Sequence, residues 1–151
     1  MSSNHTVGIA VTCVDCRLHE CSIVPALKKI MGIDKVYIET TAGPEGRILQ
    51  AEPNHHLLAL VDDLELLIKA KDAKVVAIVG HCDCAGHPVS DAQHAIDIVK
   101  AAQVIEKKLN NNAVRVMALL AEPPTEADIP WGIGPCSPDA MPTELEVLAT
   151  V

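Results

Sequence analysis

The chain has 151 residues, 49% of them hydrophobic, and a formal net charge of −8 at neutral pH. This length suits a single globular domain, and an acidic chain without a basic run is a poor candidate for nucleic-acid binding. One Trp, one Tyr and no Phe are present, so the core must be built from aliphatic side chains.

The chain contains six cysteines, and its first residues lack the basic start of a secretory signal. No apolar run approaches the ~20 residues that a membrane-spanning helix needs. We therefore expect a cytoplasmic protein without a membrane partner, in which clustered cysteines serve metal binding or catalysis and not disulfides.

Apolar runs rich in β-branched residues predict strands, and amphipathic patterns between them predict helices. The predicted strands are 6–13, 35–41, 74–80 and 113–120, and the predicted helices are 22–31, 54–71 and 90–109. This alternation predicts an α/β fold, with a mostly parallel β-sheet of core strand order 2-1-3-4 flanked by helices.

Local signals mark the ends of these helices. Gly32 is placed to end the first helix, and Ser90 with Gln93 fits a capping box at the start of the third. The third helix carries an apolar stripe from Ile96 to Leu109.

The sequence from Ala121 onward differs in composition, because it holds six of the ten prolines. We expect one domain over residues 1–151, with 121–151 a Pro-rich C-terminal tail that packs on it. One short helix is expected within this tail, at 142–149.

Potential metal ligands follow two of the predicted strands. Cys13 ends the first strand in CVDCR, and His81 and Cys84 end the third in GHCDC. In a parallel sheet of order 2-1-3-4 these strands are neighbours, so their carboxyl ends meet at the same edge. Two thiolates and one imidazole suit zinc and leave a fourth position open, as catalytic zinc requires.

Asp15 and Arg17 follow Cys13 at alternating positions. In an extended segment all three side chains would project to the same side. A carboxylate beside a guanidinium stays ionised, and it could accept a hydrogen bond from a zinc-bound group or ligate the zinc itself.

The motifs Cys13-x-Asp15-x-Arg17 and His81-x-x-Cys84 resemble those of β-class carbonic anhydrases, over about residues 6–120. The resemblance implies Zn2+ on both cysteines and the histidine, an Asp15–Arg17 catalytic dyad, and homodimers or higher homo-oligomers. It also implies the reversible hydration of carbon dioxide to bicarbonate by zinc-bound hydroxide.

The chain resembles a short, divergent member of that family. Ala42-Gly43 is shared, but Glu39-Thr-Thr precedes it where the family commonly has Arg-Asn. Ala85-Gly86 follows the last ligand where Gly-Gly is common, and Phe is absent.

Other interpretations stay open. A zinc hydrolase of carbon disulfide or carbonyl sulfide would use the same ligands, and a non-catalytic zinc-binding module would have Asp15 or the tail closing the metal. Cys13 and Cys16 form a C-x-x-C pair that could act as a redox dithiol. A closed structural zinc site could use these two residues with Cys82 and Cys84.

The remaining residues near the motifs are ambiguous. His87 is either a plain loop histidine before Pro88 or a group that transfers protons or touches substrate. Asp83 is either a solvated loop acid or a residue that supports a metal ligand. Cys16 and Cys82, where they are not ligands, are expected to be buried or close to the metal, and His94 carries no pattern.

Overall fold

A five-stranded sheet of order β2-β1-β3-β4-β5 forms the centre of the computed structural model, which describes residues 5–20, 23–122 and 144–151. The strands β1, β2, β3 and β4 pair in parallel, and β5 runs antiparallel to β4. The strands are β1 (Val7–Thr12), β2 (Lys35–Thr40), β3 (Val75–His81), β4 (Arg115–Glu122) and β5 (Glu144–Thr150). The predicted α/β class and the order 2-1-3-4 are confirmed.

The helices connect the strands, and the two predicted cap residues, Gly32 and Ser90, lie at the ends of their helices, although the side chain of Gln93 bonds to Asp97 and does not complete the capping box. The helices are α1 (Cys16–Glu20), α2 (Val24–Met31), α3 (Pro44–Ile48), α4 (His55–Lys71) and α5 (Asp91–Leu109). Gly32 ends α2 in the left-handed conformation, and the Ser90 hydroxyl accepts a hydrogen bond from the backbone N–H of Gln93. The short α1 and α3 were not predicted. None of the helices in the described ranges combines the length and the apolar character that crossing a membrane requires.

Strand β3 divides the core into two layers. Its side chains alternate between the faces of the sheet. Val75, Ala77 and Val79 pack in the cluster that contains α1 and α2, whereas Val76 and Ile78 pack in the cluster that contains α3, α4 and α5. Every residue of β3 is buried, as expected for a parallel strand covered on both faces.

The helix predicted at 142–149 is wrong, because residues 144–150 form strand β5. Leu145 packs with one core layer, and Leu148 and Ala149 pack with the other. The unpaired backbone of β4 offers this segment a hydrogen-bonding partner, and that tertiary pairing overrides the local helix preference. The remainder of the predicted tail, residues 123–143, lies outside the described residues.

Candidate metal centre

Cys13, His81 and Cys84 come together at the carboxyl edge of the sheet. Cys13 directly follows β1, His81 is the last residue of β3, and Cys84 lies in the loop after it. The parallel pairing of β1 with β3 places these ends side by side. All three side chains are buried, and their potential ligand atoms lie within 4.8 Å of one another.

The separation of the two sulfur atoms matches a metal site and not a disulfide. The Sγ atoms of Cys13 and Cys84 are 3.8 Å apart. A disulfide would hold them at about 2.05 Å. Two sulfurs bound to one tetrahedral zinc at ~2.3 Å each would lie about 3.8 Å apart. The two thiol groups are therefore already at the spacing that zinc requires.

The ring of His81 is held with one nitrogen free. Its Nδ1 donates a hydrogen bond to the carbonyl oxygen of Cys82 at 2.7 Å. Its Nε2 is buried and has no hydrogen-bonding partner among the described residues. A backbone carbonyl on one ring nitrogen fixes the tautomer in which the other nitrogen can bind a metal. An unpartnered buried nitrogen thus faces the pair of sulfur atoms.

The two thiols differ in acidity. Burial alone would raise the pKa of Cys13, but the adjacent imidazole of His81 and the backbone N–H groups of Gly43 and Asp15 lower this pKa to about 7. Burial and the neighbouring Cys13 sulfur raise the pKa of Cys84 to about 11. One thiolate forms readily and a second is opposed by the charge of the first. A divalent cation between the sulfurs would remove this repulsion.

Asp15 and Arg17 form a tight ion pair beside the three ligands. The segment that begins at Cys13 is not extended as expected, because α1 begins at Cys16. The Asp15 carboxylate caps this helix by accepting a hydrogen bond from the backbone N–H of Arg17 at 2.9 Å. The Nη2 of Arg17 donates to Oδ2 of Asp15 at 2.7 Å, and its Nε donates to Oδ1 at 3.0 Å.

This ion pair fixes the charge and position of the carboxylate. Burial opposes ionisation of Asp15, but the hydrogen bonds from Arg17 hold its pKa below the usual range. The Oδ2 of Asp15 lies 3.8 Å from Nε2 of His81. The carboxylate therefore borders the ligand triangle while it is bonded to Arg17.

Asp83 supports Arg17 from the ligand loop. The backbone of Asp83 adopts a left-handed conformation with φ of 54°, and its carbonyl oxygen accepts a hydrogen bond from Nη2 of Arg17 at 3.0 Å. Its carboxylate lies 3.2 Å from Nη1 but is 85% exposed, so this part of the contact contributes little. The backbone contact orients the guanidinium that holds Asp15.

A cavity of about 410 Å3 opens beside this group. Its polar lining consists of Asp15, Arg17 and Asp83. Cys84 and the short side chains Ala85, Pro88 and Val89 complete the lining. The cavity gives a small molecule access to one ligand sulfur and to the carboxylate.

Two glycines let the ligand loop approach α3 closely. A Cβ atom on Gly43 would lie 2.6 Å from the carbonyl carbon of Gly86, and a Cβ on Gly86 would lie 2.7 Å from the backbone nitrogen of Gly43. Gly43 also has a positive φ of 56°. The turn before α3 and the loop after Cys84 thus meet backbone to backbone.

Other residues from the motifs lie elsewhere. Cys16 is exposed, contrary to expectation, and Cys82 packs in the core layer opposite that of Cys13 and Cys84. The geometry therefore does not favour the four-cysteine site, because Cys82 lies in the other core layer. The imidazole of His87 bonds to the Asp97 carboxylate in α5 at 2.8 Å.

A second buried group was not predicted. His94 of α5 bonds through Nδ1 to the Glu45 carboxylate of α3 at 2.8 Å, and both side chains are fully buried. Its position one helical turn before the buried Ile98 is the only sequence signal that could have indicated its burial.

Comparison with known proteins gives one result. The model of the family described as "Putative carbonic anhydrase" matches residues 3–127. No curated protein matches the chain.

Proposed function

This chain belongs to the carbonic anhydrase family whose model it matches, and on that premise we propose that it is a zinc enzyme that hydrates carbon dioxide reversibly to bicarbonate. The observation that carries the proposal is the buried Cys13–His81–Cys84 triangle, with the Asp15–Arg17 ion pair at its border. Within the part of the chain that the structure describes, three ligands group without a fourth, which is the pattern of catalytic zinc, whereas structural sites are closed by four.

The proposed ligands are suited to zinc by their chemistry and spacing. Two sulfurs 3.8 Å apart and an unpartnered imidazole nitrogen form a donor set of the kind that zinc prefers. Zinc bound there would lower the pKa of a water molecule enough to make it a nucleophile at neutral pH.

In this proposal Arg17 decides whether the site is open. Its donors engage both oxygens of the Asp15 carboxylate. A carboxylate held in this way is kept from swinging onto the metal as a fourth ligand. It remains ionised, so it can accept a hydrogen bond from the attacking water and orient its lone pair toward the substrate carbon.

The cavity supports a small and largely apolar substrate. Ala85, Pro88 and Val89 supply its apolar wall, and the ion pair is part of its polar lining. Carbon dioxide needs contact with apolar groups and one nearby nucleophile. Bicarbonate, the charged product, would be bound only weakly by a wall of this kind and could leave.

The test is stopped-flow measurement of carbon dioxide hydration with zinc content measured on the same samples. We expect about one zinc ion per active chain for this centre, and Cys84→Ala should lose both this zinc and the activity. Cys16→Ser is the matched control, because Cys16 is exposed, and it should keep both. Full zinc retention at this centre in Cys84→Ala would refute the ligand set.

The dyad is tested by Asp15→Asn and Arg17→Ala. Each should lower kcat by ~100-fold or more while zinc stays bound, because loss of an oriented acid–base group has effects of this size. Wild-type rates in both variants would mean that the ion pair is structural.

Parallel assays with carbon disulfide and carbonyl sulfide separate the alternatives. Sulfide release without carbon dioxide turnover would assign the chain to zinc hydrolases that use the same ligands. Zinc binding without turnover of any of these compounds would favour a non-catalytic zinc-binding module.

A further inference from the structure

The loop that carries Cys84 is tied to the rest of the fold on both sides of this ligand. Before Cys84, the carbonyl oxygen of Asp83 accepts a hydrogen bond from Arg17. After Cys84, the imidazole of His87 bonds to the Asp97 carboxylate of α5 at 2.8 Å. The first tie belongs to the ion pair beside the metal centre, whereas the second has no part in the reaction proposed above.

A tight turn connects the position of His87 to that of Cys84. The backbone N–H of His87 donates a hydrogen bond to the carbonyl oxygen of Cys84 at 3.3 Å, which closes the turn over residues 84–87. Burial and the Cys13 sulfur raise the pKa of Cys84, and hydrogen bonds from the backbone N–H groups of Gly86 and His87 oppose this rise. The placement of the His87 backbone therefore affects both the ligand residue and the donors to its sulfur.

The imidazole of His87 is held on several sides. A Cβ atom on Gly46 of α3 would collide with Nδ1 of His87, so the ring occupies the space that a side chain there would need. The Nε2 atom bonds to Asp97, and the ring of His94 meets the imidazole edge to face, with centroids 5.5 Å apart. Because one nitrogen is bonded and the other abuts a helix backbone, the ring is placed to hold the loop and not to carry protons.

Asp97 is itself fixed by a second contact. The side chain of Gln93, one helical turn earlier, donates to Oδ1 of Asp97 at 2.7 Å, and His87 bonds to Oδ2. Burial opposes ionisation of Asp97, but the hydrogen bonds from His87 and Gln93 hold its pKa below the usual range. The carboxylate is 12% exposed and the imidazole 20%, so solvent screens this contact less than it screens a surface ion pair. A hydrogen bond to an ionised acceptor is shorter and stronger than one between neutral groups.

We propose that Asp97 and His87 are positioning residues for the metal centre, and that their contact fixes the turn that presents the Cys84 sulfur. Neither residue touches the metal or the substrate in this proposal, and both act through Cys84. The inference rests on the zinc centre of the proposed function, but it does not depend on which small molecule reacts there.

Two substitutions of His87 test the contact with Asp97. In His87→Gln the amide nitrogen can take the place of Nε2 and still donate to Asp97. In His87→Asn the side chain is one methylene shorter, so its amide corresponds to Nδ1 and does not reach Asp97. Competition with a chromophoric chelator should show zinc affinity lowered by about tenfold or more in His87→Asn, and nearly wild-type affinity in His87→Gln.

Asp97→Ala should show the same loss as His87→Asn. The double variant should lose no more than either single variant, because both changes break one contact. Leu64→Ala is the control for stability, since Leu64 is fully buried in the core layer opposite that of Cys84. It should lower the free energy of unfolding and leave the zinc affinity of the folded protein unchanged.

Loading with Co2+ gives a readout of the ligand sulfurs themselves. The thiolate-to-cobalt charge-transfer band should weaken or shift in His87→Asn and Asp97→Ala. It should be unchanged in His87→Gln and Leu64→Ala. Because this spectrum does not require turnover, failure to hydrate carbon dioxide would not affect the result.

Wild-type zinc affinity and a wild-type cobalt spectrum in His87→Asn would overturn the inference and leave the metal centre intact. Equal losses in His87→Asn and His87→Gln would also overturn it, because the loss would then not depend on the contact with Asp97. If Cys84→Ala kept the zinc of wild type, the proposed centre would fail and the inference with it. If circular dichroism shows that Asp97→Ala does not fold, the two variants of the partly exposed His87 decide.

Discussion

Replacing Gly43 by alanine should disturb the metal centre without replacing any proposed ligand. A Cβ atom there would lie 2.6 Å from the carbonyl carbon of Gly86, and ordinary contact begins at 3.4 Å. The two backbones must therefore separate by at least 0.8 Å, the difference between these distances. Metal sites tolerate ligand displacements of about 0.2 Å. If the loop of Cys84 takes up the movement, Gly43→Ala should weaken zinc binding by about tenfold or more.

The conformational cost of this change can be separated from the clash. Gly43 has a φ of 56°, and Gly32 has a φ of 67° with no atom within 4 Å of its would-be Cβ. Gly32→Ala should thus show only the left-handed strain, about 1–2 kcal/mol, partly offset by a less flexible unfolded chain. Gly86→Ala has no positive φ but meets backbone atoms at 2.7 Å, so it isolates the clash.

Two measurements decide this prediction. Urea denaturation gives the free energy of unfolding, and competition with a chromophoric chelator gives the affinity for zinc. Gly43→Ala should lose more stability than Gly32→Ala, and both Gly43→Ala and Gly86→Ala should bind zinc more weakly than wild type. Equal stability loss in Gly43→Ala and Gly32→Ala, with wild-type zinc affinity in all three variants, would show that the close contact does not position the ligand loop.

Three further predictions concern stability and assembly. Leu64→Ala should lower the free energy of unfolding by about 2–5 kcal/mol, because Leu64 is fully buried. Leu66 on the same helix is 64% exposed, so Leu66→Ala should leave the free energy of unfolding nearly unchanged in the same urea titration. Burial and the nearby Asp63 raise the pKa of Glu39, which shares a cavity with His56. Ionised Glu39 is therefore unfavourable in the folded state, and Glu39→Gln should raise the free energy of unfolding at neutral pH. This gain should disappear at a pH below the ordinary pKa range of a glutamate, and it should be smaller in an Asp63→Asn background. With 49% hydrophobic residues in a short chain, we expect a homodimer or a multiple of it, and sedimentation that shows a monomer at micromolar concentration would contradict this.

The parts of the fold that depend on local pattern could be predicted from the sequence. The continuous apolar runs of β1, β3 and β4 indicated buried parallel strands, and Ser90 and Gly32 marked helix ends through contacts within a few residues. The proximity of Cys13 to His81 and Cys84 followed from strand order alone, because neighbouring parallel strands end at one edge.

The rest depends on contacts between distant segments. Strand β5 forms because β4 offers it a free edge, and the local sequence carries no sign of that edge. Glu45 and His94 meet although 49 residues separate them. The stripe expected from Ile96 began on the wrong residue, because Ile96 is 49% exposed and the buried face of α5 starts at His94. The sequence of α3 alone does not show that Glu45 will be buried against α5, and the sequence of α5 alone does not show that His94 will be buried against α3.

The alternation of side chains along β3 imposes a parity rule on any change in its length. His81 faces the layer of α1 and α2, whereas its neighbours Gly80 and Cys82 face the other layer, where a Cβ on Gly80 would lie 2.5 Å from Ile98. Inserting or deleting one residue before His81 would turn the imidazole away from Cys13 and into that crowded layer. A change of two residues would restore the facing. Such a change would also move His81 by about 6.6 Å along the strand, so anyone who transplants this centre into another parallel sheet must change β1 and β3 together and in even steps to keep His81 beside Cys13.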